Sequence, residues 1–170
     1  MASLMNDLTS NLKEQLACYK SLLQLQQVKS EVIIANVIED LQKVSAVERE
    51  LVGRVSRLER ERERLIKDIA IVLNKKEKDL SILRLAELIG QDKTESKQLI
   101  EIREKLLDTI QELKGKNTQN ANLVDQALNY VDFTMNALQT SRVMPSASAY
   151  AGKGQAVEQQ SGQRYFDAKQ

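Results

Sequence analysis

Apolar side chains between residues 37 and 73 recur in alternating steps of four and three: Val37, Leu41, Val44, Leu51, Val55, Leu58, Leu65, Ile69 and Val72. Glu48 and Arg62 stand at the two places that the series skips. This is a heptad seam with two polar interruptions, one stripe of a long α-helix. Such a helix cannot bury its stripe alone, so the chain is committed to packing helix against helix. The remaining face is crowded with alternating Glu and Arg, as in RLERERERL over 57–65. Mixed-sign charge at this density marks a solvated helix face rather than a nucleic-acid patch.

The segments on either side read as helices too. Leu4, Leu8, Leu12, Leu16, Tyr19 and Leu23 fall on one stripe, which Leu22 and Leu25 widen. No Gly or Pro interrupts 4–34, so a helix of about 45 Å fits there at about 1.5 Å per residue. A break near Ala35 is expected, giving two helices rather than one very long one. Asn36 with Glu39 fits an N-cap and its acidic partner, and the β-branched run Val32, Ile33, Ile34 slightly lowers helix preference. NKKEKD over 74–79 reads as a connection. Ser81 can cap a short helix, Ile82 to Ile89, which Gly90 can end. Asp92 with Glu95, or Thr94 alone, starts the last helix.

That last helix has the seam Leu99, Ile102, Leu106, Ile110, Leu113, Asn117, Asn120, Val124, Ala127, Val131, Thr134 and Leu138, with Gly115 a tolerated weak point. It is expected to fail near Thr140, ahead of Pro145, the single proline. Beyond Ser141 the chain is rich in Ser, Gly, Ala and Gln, a composition that stays disordered unless bound. The expected fold is all-α: an elongated antiparallel up-down-up bundle of three long helices with one short connecting helix. The expected division is a bundle domain, 1–140, and a flexible C-terminal tail, 141–170.

Composition removes several kinds of chemistry. The chain has no His, and so lacks the commonest general base, metal ligand and pH switch. There is no Gly-rich phosphate loop, no CxxC pair and no recognisable Ser nucleophile. The carboxylates alternate with Arg and Lys on exposed faces, unlike an acid–base pair. No catalytic residue, metal site or cofactor is expected. A net charge of +1 argues against binding driven by bulk electrostatics. No apolar run is long enough to span a membrane, and MASLMNDLTSNL lacks the pattern of a secretory signal. The single Cys18 cannot form an internal disulfide and reads as a small, partly buried apolar residue. These features fit a cytoplasmic protein.

The stretch from Asn117 to Thr140 differs from the rest. Its charged side chains are only Asp125 and Asp132. Asn117 and Asn120 lie on the seam, either as amides that fix register or as a polar notch in a partner groove. Leu123, Leu128, Tyr130, Phe133, Met135 and Ala137 lie off it, on more than one face. One neighbouring surface cannot bury them all, so this stretch has apolar area to offer a partner helix.

These residues resemble a known family. NTQNANLVDQALNYVDFTMNAL over 117–138 is similar to the Asn-rich step and last helix of the FlgN-type flagellar export chaperones. AYAGKGQ over 149–155, with Tyr150, Gly154 and Gln155, resembles the tyrosine-and-glycine element that follows that helix. VERELVGRVSRLERERERLI over 47–66 is similar to the family's middle helix, and DLSILRLAELIG over 79–90 to its small helix. The resemblance covers most of residues 1–155. It implies a cytosolic chaperone for hook-associated proteins of the FlgK and FlgL type, holding their disordered C-terminal segments before type III export. It implies delivery to the cytosolic domain of the export-gate protein FlhA, with Tyr150 and Gly154 in the docking element. The client side falls to Asn117, Asn120, Leu123, Leu128, Tyr130, Phe133 and Met135. Val124, Ala127, Val131 and Leu138 are expected to pack on the bundle. Tyr165 and Phe166, in EQQSGQRYFDAKQ, match no part of the pattern. The alternative is a coiled-coil adaptor that self-associates, a homodimer through the C-terminal helix.

Overall fold

The computed structural model describes residues 2–90 and 93–143. Among them are α1 (Ala2–Ala35), α2 (Ile38–Val72), a single 3-10 turn (Glu77–Asp79), α3 (Ile82–Ile89) and α4 (Thr94–Val143), with no strand. The chain divides into two compact units, Met1–Asp132 and Phe133–Gln170. The tail with Tyr150 and Gly154, and Asp92 before α4, lie outside the described residues.

The turn after α1 differs from the expected N-cap. Asn36 has a φ of +57° and closes α1 instead of opening α2. Its N–H donates to the Ile33 carbonyl at 3.1 Å, and the Val37 N–H donates to the Val32 carbonyl at 3.4 Å. That pair of bonds is a Schellman motif, in which Asn tolerates the left-handed backbone better than most residues. Val37 is extended and starts α2 without a side-chain cap. The same device ends α2. Asn74, at φ +50°, bonds back to Ile71 while Lys75 bonds back to Ala70.

The caps of α3 match the sequence reading. Ser81 Oγ accepts from the Arg84 N–H at 3.1 Å, and Gly90 ends the helix at φ +106°. α4 begins at Thr94 and continues to Val143, past the expected stop near Thr140. Pro145 restricts chiefly the residue before it, which leaves Ser141–Val143 free to stay helical.

Within the first unit α1 and α2 are the closely packed pair. Asn11 meets Leu58 and Gln26 meets Glu48, so the two run antiparallel. One cluster joins Leu8 and Leu12 of α1, Leu65 and Ile69 of α2, Leu85 of α3, and Leu99, Ile102 and Leu106 of α4. A second joins Cys18, Leu22, Val55, Leu58 and Leu113. Cys18, expected to be partly buried, is buried outright. The α1 seam is more polar than its leucines imply. Leu16 and Leu23 are only half-buried, whereas Asn11, Gln15, Gln26 and Ser30 are buried. Their polar groups remain compatible with a core because they are bonded: Asn11 Nδ2 donates to the Leu58 carbonyl at 3.1 Å and Gln15 Nε2 to Asn11 Oδ1 at 2.8 Å.

Candidate functional site

Beyond the two apolar clusters the packing changes to polar. Asn120 is 3% exposed. Its Nδ2 donates to the Gln26 carbonyl at 3.0 Å and to Gln26 Oε1 at 2.8 Å, and its Oδ1 accepts from Ser30 Oγ at 2.6 Å. Gln26 Nε2 donates in turn to Glu48, which also pairs with Lys29 at 2.7 Å. Glu48, a skipped place in the α2 seam, therefore anchors a layer that reaches all three long helices. Of the two seam amides, Asn120 fixes register. Asn117 is exposed and lines a polar recess with Lys29, Glu48 and Asp125.

Past this layer the helices leave an apolar cleft of about 210 Å³. The end of α1 contributes Val32 and Ile33, the turn and start of α2 contribute Val37, Ile38 and Leu41, and α4 contributes Val124, Ala127, Leu128 and Val131. Much of this area is open: Ile38 is 68% exposed, Leu128 58% and Val131 49%. In the sequence these turn residues counted only as weak helix formers. The available signal was an apolar cluster on both sides of a two-residue turn, more than a solvated turn requires.

The remaining sequence-derived candidates are scattered. Leu123 is half-buried, and Tyr130 is exposed in the first unit. In the second unit Phe133, Met135 and Leu138 are exposed. One expectation of packing holds only in part, since Val131 lines the cleft yet is 49% exposed. Along the α4 seam Leu99, Ile102, Leu106, Leu113 and Asn120 are buried, Ile110, Val124 and Ala127 are half-buried, and Asn117 is exposed.

Elsewhere in the first unit Tyr19 donates its hydroxyl proton to Glu59 Oε1 at 3.0 Å. Burial first, and then that carboxylate, push the Tyr19 pKa up to about 12. Arg62, the other skipped place in the α2 seam, lies beside this pair in a recess that Arg103 also lines. Among the described residues no group of three or more His, Cys, Asp or Glu could hold a metal ion. No described helix is long and apolar enough to cross a membrane.

Fold and surface together define an all-helical protein that keeps apolar helix area open to solvent, the kind of surface that marks an interaction site. The chain belongs to the FlgN family of flagellar export chaperones: the family model described as "FlgN protein" matches residues 1–158. Neither a curated protein nor a solved structure matches it.

Proposed function

We propose that this chain is a cytoplasmic flagellar export chaperone that holds the C-terminal segments of hook-associated proteins, of the FlgK and FlgL type, and passes them to the cytosolic domain of the export-gate protein FlhA. One observation carries the client side. Over 117–140 the helix has no basic residue, yet exposes Leu128, Tyr130, Phe133 and Met135 by 52–72%. Burying such area against a client helix is favourable by about 25 cal/mol per Å². Part of that gain is offset when a disordered client orders on binding, which keeps the complex releasable.

In this reading the three long helices form an up-down-up scaffold, 1–140. Leu123, Leu128, Tyr130, Phe133 and Met135 contact the client, with Asn117 at the rim and Asn120 holding the scaffold beneath. Tyr150 and Gly154, in the tail 141–170, address the gate. Calorimetry with the C-terminal segments of hook-associated proteins tests the client half; no heat at tens of micromolar rejects it. Tyr150→Ala tests the other half. It should leave client affinity unchanged while weakening gate binding and export, and equal losses in both would refute the division of labour.

A second reading, a self-associating coiled-coil adaptor with no flagellar client, draws support from the exposure of Val131 and Leu138. Solution mass separates the two: a stable dimer with no affinity for the client segments favours the adaptor.

A further inference from the structure

We infer that the apolar cleft between the α1–α2 turn and α4 is the seat of the client, and that it selects an amphipathic helical segment flanked by Lys or Arg. The inference rests on the chaperone reading and adds to it a place and a chemistry.

The apolar part is the lining described above, in which Ile38 and Leu128 are more than half exposed. The segments that build it carry charge of one sign. Across 30–42 and 117–132, the segments that build the cleft, the charged residues are Glu31, Glu39, Asp40, Asp125 and Asp132, and no Lys or Arg occurs. Three bases close to these segments in sequence are engaged. Lys29 pairs with Glu48, Lys43 pairs with Asp40, and Lys116 donates to Gln27. Glu31, Glu39 and Asp125 are exposed and make no ion pair among the described residues.

An apolar cleft built by segments that carry only acids is complementary to a helix whose apolar face has basic neighbours. It is not complementary to itself. In a two-fold dimer through this cleft the same acids would face one another, and like charges brought close repel. A second copy is therefore the poorer occupant.

The test uses the full chain and the C-terminal segments of hook-associated proteins as probes, at low and high salt. Ile38→Ser should weaken binding about tenfold. The triple change Glu31→Gln, Glu39→Gln, Asp125→Asn should weaken it about threefold to tenfold at low salt, and the difference should fade as salt rises. All four positions are exposed, so circular dichroism should read unchanged helix content. If the segments bind the wild type and both variants alike, the inference fails and the chaperone reading stands. If they do not bind the wild type, the chaperone reading fails and takes the inference with it. Acid neutralisation that tightens binding would mean that these acids oppose the client, and would overturn the proposal. So would a dimer of the free wild type that Ile38→Ser dissociates.

Discussion

Asn117 and Asn120 are identical in type, three positions apart and on one seam, yet they do different things. Asn120 satisfies both ends of its amide against α1, and Asn117 stands at a polar rim. Asn120→Ala strands the partners on Gln26 and Ser30, and urea unfolding should read a loss of about 1–3 kcal/mol. Asn117→Ala should stay within about 0.5 kcal/mol of wild type. Only the position of the neighbouring helix separates the two residues, so sequence reasoning left both readings open. Tyr19 gives a pH-dependent counterpart. Its pKa is raised from 10.0 to about 12. A group with a raised folded pKa contributes stability that is whole below its unfolded pKa and is lost as pH climbs through the folded one. Tyr19→Phe should cost about 1 kcal/mol at neutral pH. The stability gap between variant and wild type should then narrow as pH rises from about 10 to about 12.

The elements were largely legible because their signals are local. The heptad seam gave α2, and Ser81 and Gly90 gave the ends of α3. The turn at Asn36 was misread. Asn serves both as an N-cap and as a left-handed C-terminal residue, and Glu39 three positions on favoured the wrong one. Asn74 repeats the device on an exposed connection, where it can be tested in isolation. Asn74→Val should destabilise by about 1–2 kcal/mol, because a β-branched side chain resists positive φ. Asn74→Gly should leave stability equal or slightly higher. Both are measured by thermal unfolding. The α1 stripe was half legible: its leucines stood out, but the buried amides of Asn11, Gln15 and Gln26 did not, because a pattern of apolar residues does not count them.

At the scale of the molecule, the first unit grades from two apolar clusters, through a bonded polar layer, to an open cleft. Stability and binding then rest on different residues. Leu99 is fully buried and distinct from the cleft. Leu99→Ala should cost about 2–5 kcal/mol in urea unfolding. It should leave client affinity unchanged by calorimetry under conditions where the variant stays folded.

The sequence by itself determined the all-helical class, the four α-helices of the described residues, the ends of the short helix and the family. Each of those depends on spacing along one chain or on motif order. The tertiary structure alone decided which amide is buried, that Val131 is left half uncovered, and that the α1–α2 turn shares an apolar cleft with α4. Those depend on where the other helices stop, and a seam continues in sequence whether or not a partner is still there to cover it. Local periodicity fixes which face of a helix seeks cover, and packing fixes how much of that face receives it.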